Sequence, residues 1–277
     1  MKKKLNMEVY WWRGKVYNFG DEITPWLVKK MYSKNIDKPC SIKNAKLPIL
    51  LAVGSIMRLS SNKTVVWGSG IRNIDQCDFS SSKKYCAVRG PFTRRRLLQL
   101  GYKCSPVYGD PGLLLPNHYN PSVSKEYKIG LIPHLVDYEE INKIYSKNKD
   151  ILVIDLKTNN IERVVRQILL CERTLSTSLH GVITSVAYNV PTKWMKFSNE
   201  ITGDDIKFYD FFASLDCNIL KEFDYKKIKH KKDSIYNPLL FSKKCLSTNF
   251  LERQTHLYSK KDLNLKKLID ACPLKLI

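Results

Sequence analysis

The stretch Thr174–Lys207, TLSTSLHGVITSVAYNVPTKWMKFSNEITGDDIK, decides the fold. A β-type run from Thr174 to Leu179 leads straight into His180-Gly181. Val182, Ile183, Val186 and Ala187 then recur at helical spacing on one face. Asn189 and Pro191 end that helix, because proline lacks an N–H and its ring clashes with the preceding turn. A second apolar run opens at Trp194. Strand, turn, helix and strand in that order form the repeating unit of a parallel α/β sheet. Ligands of such sheets sit at the carboxyl ends of the strands, and a helix amino-terminus there favours an anion. His180 therefore stands where a charged ligand would meet a titratable side chain. A histidine at a helix start can equally be a cap or a core residue, and spacing alone leaves both readings open.

The same unit recurs towards the amino-terminus. Val9–Trp12 reads as a first strand, and Arg13–Gly20 as a loop. Asp21 is the expected cap of a helix bearing Ile23, Trp26, Leu27 and Met31. Asn18, Gly20 and Asp21 thus occupy the first strand-to-helix turn, which faces ligand in nucleotide-binding-like folds. The turn has no GxGxxG pattern. Pro48–Val53 and Thr64–Trp67 read as strands ending in Gly54-Ser55 and Gly68-Ser69-Gly70. Those glycines suit either close approach of backbone N–H groups to an anion or an ordinary tight turn. Tyr85–Val88 ends at Arg89, and Pro91 fits the first turn of a helix that Gly101 stops. A guanidinium at that place suits a carboxylate or phosphate by paired hydrogen bonds. Asp110, in the turn after Val107-Tyr108, holds a sugar hydroxyl or caps the turn.

Residues Pro116–Ser124 read as a linker. The pattern restarts with Lys128–Ile132, Pro133-His134, Ile151–Leu156 and a helix bearing Ile161, Val164, Val165, Ile168 and Leu169. Asp210-Phe211-Phe212 begins a short helix, Lys226–Lys232 is a solvated basic run, and Asn264 caps a final helix that Pro273 ends. The expectation is an α/β protein of two Rossmann-like lobes facing across a cleft. Residues 1–120 form the amino-terminal, acceptor-side lobe and 121–277 the carboxyl-terminal, donor-side lobe.

A hydrophobic content of 43% marks a folded chain. The net charge of +21 draws in anions such as phosphates, nucleotides, nucleic acid or an acidic membrane face, although Lys is frequent throughout the chain. No nucleic-acid motif accompanies the charge, so no nucleic-acid partner is expected. Eight scattered cysteines without a CxxC pair argue against a disulfide framework or a zinc site. Lys2-Lys3-Lys4 resembles the start of a signal peptide, but Glu8 and Arg13 break the apolar run that a signal peptide needs next. With no membrane-length apolar run, the expected location is cytoplasmic, with a basic surface suited to peripheral contact with the inner membrane face.

NFGDE at 18–22, WGSG at 67–70, VRGP at 88–91, GDPG at 109–112, IPH at 132–134 and SLHG at 178–181 occur in that order, and WMKFS and KFYDFF come after them. In that ordered set, from about Val9 to Pro273, the chain resembles the polysaccharide pyruvyl transferase family. The resemblance implies a glycosyltransferase-B-like fold and transfer of an enolpyruvyl-derived group from phosphoenolpyruvate (PEP) to a sugar, leaving a pyruvate ketal and phosphate. It implies that Arg89 and His180 act on the donor, together with a downstream lysine, for which Lys196 and Lys207 both lie in the window and Lys207 is favoured as the catalytic one. The implied donor pocket also takes in Ser178, Leu179 and Gly181. Asn18, Gly20, Asp21, Gly68, Ser69, Asp110 and His134 are the candidates on the acceptor side. The acceptor would be a sugar, a nucleotide-sugar or a lipid-linked glycan of a surface polysaccharide such as an exopolysaccharide. His180 would protonate the methylene carbon, and Asp21 or Asp110 would orient or deprotonate the acceptor. The scheme asks for no metal and no cofactor beyond PEP as co-substrate. A glycosyltransferase of the same shape, using a nucleotide sugar, is the competing reading.

Overall fold

Two all-parallel sheets carry the chain in a computed structural model that describes residues 5–33, 35–198, 200–215, 239–240, 248–253, 255–258, 260 and 264–274. The first sheet runs β1 (Glu8–Tyr10), β2 (Ile49–Leu51), β3 (Thr64–Trp67) and β4 (Lys84–Ala87), side by side in chain order. A single parallel bridge from Val88 to Tyr108 extends it. The second sheet contains β5 (Tyr127–Ile132), β6 (Ile151–Val153), β7 (Cys171–Ser176), β8 (Thr192–Lys196) and β9 (Leu239–Leu240), in the order β6-β5-β7-β8-β9. Runs such as Ile49-Leu50-Leu51 are buried at every position, as strands covered on both faces require.

The helices are α1 (Phe19–Tyr32), α2 (Pro91–Gln99), α3 (Leu115–His118), α4 (Tyr138–Tyr145), α5 (Ile161–Leu169), α6 (Leu179–Ala187), α7 (Ile206–Leu215), α8 (Thr248–Glu252) and α9 (Leu265–Asp270). The α/β class expected from sequence is present. Three local expectations need correction. The cap of α1 is Asn18, whose side chain accepts from Gly20 N–H, and Asp21 lies inside the first turn. Helix α6 begins at Leu179, so His180 is helical rather than in the turn before the helix. Helix α7 begins four residues before Asp210. The basic run Lys226–Lys232 lies outside the described residues.

The second sheet has the doubly wound order, with the chain reversing direction between β5 and β7. The first sheet has no such reversal, so it offers no crevice of the same kind. The two sheets also share cores. Ile49, Leu51 and Val66 of the first sheet pack in one apolar cluster with Val182, Ile183 and Val186 of α6 and Phe208, Phe211 and Phe212 of α7. A second cluster joins Phe19, Ile23 and Leu27 of α1 to Ile132, Ile154 and Val164. Side chains from both halves therefore exclude water together in these clusters. Trp67 in β3 is fully buried and donates from its indole to the carbonyl of Leu268 in α9 at 2.9 Å, so the carboxyl-terminal helix closes the first sheet.

Candidate functional site

The reversal between β5 and β7 sets the place. Beyond β5 the chain gives Pro133-His134, and beyond β7 it gives Thr177, Ser178 and the start of α6. The two ends are tied together, because His134 N–H donates to Thr177 Oγ1 at 2.6 Å and Thr177 N–H to Ile132 O at 3.1 Å. Helix α1 arrives from the first sheet and is pinned by Phe19 N–H to Leu156 O at 2.9 Å. Its first turn meets the first turn of α6. A Cβ on Gly20 would lie 2.0 Å from His180 Nδ1, so only glycine leaves room for the imidazole there. Gly181 acts likewise, since a Cβ would lie 2.3 Å from Ser176 Oγ, and this lets α6 sit close on β7.

Arg89 is placed differently from the expectation that it grips the donor. Its side chain and that of Asp210 are both 0% exposed, with Nε to Oδ2 at 3.1 Å. Two further N–H groups go to Ser55 Oγ at 2.6 Å and Ile71 O at 2.7 Å. The other carboxylate oxygen of Asp210 caps α2 by accepting from Thr93 N–H at 2.9 Å. Gly90 lets α7 press against this turn, because a Cβ would fall 1.8 Å from Asp210 O. The VRGP and KFYDFF motifs are thus two halves of one buried joint. WGSG is part of the same construction. Gly70 leaves space for the Arg89 guanidinium, and buried Ser69 donates to Gly54 O at 2.8 Å. Arg89 and Ser69 are fully buried and Gly68 is buried, so all three face protein rather than solvent.

The two lysines separate in the same way. Lys196 is held by Asp205 at 2.8 Å. Lys207 has no carboxylate within salt-bridge distance among the described residues, and its ammonium lies over Phe208. Phe208 is itself stacked on Trp194 at 4.2 Å, which fixes α7 against β8 and with it the position of Lys207. Burial pushes Lys207 down to about 8; Arg89, Arg72 and Lys196 add to that, and Asp205 opposes it. Sulfate, a dianion throughout the neutral range, should bind here while Lys207 is charged. We expect its affinity to fall roughly tenfold per pH unit above about 8, and Lys207→Met to abolish that slope. A flat calorimetric titration series from pH 7 to 9.5 in the wild type would refute this.

Two acids and two imidazoles complete the cluster. Burial pushes Asp21 up to about 6, with His180 and Arg72 pulling against it. His134 is pushed down to about 4 by burial and by the charge of Lys207, so it is neutral at neutral pH. Its Nδ1 faces the N–H of Val136 at 3.4 Å, leaving Nε2 as a donor. Asp110 is fully buried, and its Oδ2 lies 3.7 Å from Nε2 of His180, which is 13% exposed.

Asp21 carries a stability cost. The folded state keeps its proton up to about pH 6, whereas the unfolded chain releases it near 3.8, so stability falls as pH rises through that window. The shift corresponds to about 3 kcal/mol at pH 7, offset by roughly 0.3–1 kcal/mol of attraction to the start of α1. Asp21→Asn should therefore stabilise the protein by about 2 kcal/mol at pH 7, with the gain shrinking towards pH 4. Urea denaturation at the two pH values measures it, and a loss of stability at pH 7 would contradict it.

Residues 10–198 match the family described as polysaccharide pyruvyl transferase. The chain belongs to the polysaccharide pyruvyl transferase family. A curated relative, the uncharacterized protein L143 of Acanthamoeba polyphaga mimivirus, is 32% identical over 204 residues, covering 71% of this chain and 70% of that protein. No solved structure matches. The family match ends at residue 198, so the pyruvyl transferase region contains His134, His180 and Lys196, while Lys207 and Asp210 lie just beyond it. Among the described residues of this transferase no helix is long and apolar enough to cross a membrane, and no group of three His, Cys, Asp or Glu side chains is placed to hold a metal ion.

Arg72 and Ser55 border this candidate site and were not among the site residues read from sequence. Arg72 acts on both Lys207 and Asp21 and is exposed. It comes directly after the WGSG turn, at Ile71-Arg72, and that adjacency is the signal that could have found it. Ser55, next to Gly54, is ordered by the Arg89 guanidinium.

Proposed function

We propose that this protein moves the enolpyruvyl-derived group of PEP onto two hydroxyls of a glycan, releasing phosphate. The observation that carries the reading is the grouping of Lys207 and Arg72 with His180, His134 and Asp21 at the sheet reversal, in a chain of this family. PEP is an anion of up to three charges, and the half-buried Lys207, which has no carboxylate within salt-bridge distance among the described residues, is a cation suited to it.

The chemistry divides among these groups. One acceptor hydroxyl adds to the carbon that bears the phosphate, and the neighbouring methylene takes a proton to become methyl. The carbon–oxygen bond to phosphate then breaks, and the second hydroxyl closes the ketal. Of the two hydroxyl protons, one balances the methyl group and the other leaves with phosphate. His180 supplies the proton to carbon. Asp21, poised near 6, takes the proton of the attacking hydroxyl. Lys207 and neutral His134 receive the departing phosphate. Arg89 acts from behind, as a buried charge that Lys207 feels and that orients Ser55.

Room for an acceptor lies beside Arg72. A hollow of about 560 Å³ is lined by Arg58, Arg72, Asn73, Asp75, Gln76 and Asp78, polar groups that suit hydroxyls. Trp12, 45% exposed on the loop entering α1, lies against Arg58 of this lining and adds a flat face of the kind that sugars cover. The test is phosphate release from PEP with galactosides, glucosides and N-acetylhexosamines, alongside thermal shifts with PEP and with nucleotide sugars. PEP at a hundred times its Kd should add about 2.7 kcal/mol of stability. Stabilisation by a nucleotide sugar with none by PEP would replace this reading with a glycosyltransferase.

A further inference from the structure

Two buried polar atoms face each other without hydrogen-bond partners, Asp110 Oδ2 and His180 Nε2, 3.7 Å apart. Leaving either unpaired costs about 1–3 kcal/mol, more for a charged group, so their opposition calls for a reason. Three features of the chain bring them together. Gly68 and Gly109 have φ of +97° and +132°, which favour glycine, and a Cβ on Gly68 would lie 2.2 Å from Pro111 Cδ. These two turns stack, and Asp110 then caps the short helical turn Pro111–Leu114 by accepting from Gly112 N–H at 2.8 Å. That turn packs on α6, since a Cβ on Gly112 would lie 3.2 Å from Ile183 Cγ2. The second carboxylate oxygen is left pointing at the first turn of α6, where His180 lies. On the opposite side the ring rests on Gly20. WGSG, GDPG and the glycine of NFGDE are thus the walls of one imidazole holder.

We propose that Asp110 is a positioning residue that fixes the tautomer of His180. Its carboxylate keeps a proton on Nε2, so Nδ1, over Gly20, is the nitrogen that exchanges a proton with substrate. Hydrogen bonds of this kind shorten when the catalytic complex forms, and 3.7 Å is within reach of a small rotation of the ring. Asp21 is the other carboxylate whose charge is felt beside this ring. It is mostly buried but partly open to solvent in α1, whereas Asp110 is fully enclosed and cannot meet an acceptor. The assignment of Nδ1 as the working nitrogen rests on the pyruvyl-transfer reading; the tautomer itself does not.

Asp110→Asn separates the two. Asparagine Oδ1 still accepts from Gly112 N–H, so the turn survives, but Nδ2–H now points at Nε2 and drives the proton to Nδ1. Nitrogen-15 spectra of the histidine-labelled protein, with His180→Gln for assignment, read the tautomer directly. The expected result is Nε2–H in the wild type and Nδ1–H in Asp110→Asn, with phosphate release falling on the order of 10²–10⁴-fold and KM for PEP nearly unchanged. A neutral wild-type ring protonated on Nδ1 overturns the proposal whether or not the variant folds, and so does a folded variant with an unchanged tautomer. If the tautomers behave as expected while the wild type releases no phosphate from PEP with any acceptor, the pyruvyl-transfer reading fails and the Asp110–His180 pair stands.

Discussion

Arg89→Ala is expected to lower stability by about 3–5 kcal/mol, the cost of leaving a buried carboxylate without its cation. The partner is Asp210, fully enclosed like Arg89 itself. The loss should appear as a fall of roughly 10 °C in Tm for a chain of this length. Asp210→Ala should cost a similar amount, because it strands the guanidinium and also uncaps α2 at Thr93. The double variant should cost less than the two single losses added together, since neither charge is then left alone. Denaturant titration of the four proteins decides the matter. An Arg89→Ala protein of wild-type stability with impaired PEP binding would restore the role of donor clamp and overturn the structural one. The result has a functional side, since Lys207 rides on α7 one turn before Asp210. Loosening the joint would let Lys207 drift even in molecules that stay folded.

His180→Ala should behave in the opposite way. The side chain is 13% exposed and alanine suits α6, so the stability loss should stay below that of Arg89→Ala, at about 1–3 kcal/mol for the Asp110 oxygen left without its imidazole. Phosphate release should fall by about 10²–10⁴-fold, the ordinary contribution of a positioned acid. Single-turnover phosphate release measures it, with Tm as the control. A rate within a few-fold of wild type would remove His180 from the reaction. The two variants, at VRGP and SLHG, therefore test different properties: the first should fail in folding and the second in turnover.

That separation shows how far the amino-acid order reaches. The α/β class, the parallel strands and the placing of Arg89 and His134 just after strands, with His180 close behind another, come from apolar periodicity and from proline and glycine punctuation, which are local properties. The end of α2 at Gly101 and the cap of α9 by Asn264 arise in the same way. The motif order also sufficed for the family. Burial is another matter, because it depends on what arrives from elsewhere in the chain. Arg89 and Asp210 are 121 residues apart, and only the packing of α7 on α2 turns a ligand-type arginine into an enclosed ion pair. Lys196 and Lys207 differ in the same way, because the fold pairs the first with Asp205 at 2.8 Å and leaves Asp205 only a longer-range influence on the second. Asp110 and Asp21 looked alike as turn acids. The fold enclosed Asp110 completely beside His180 and left Asp21 partly open to solvent, and a charge acts according to the water and the partners around it.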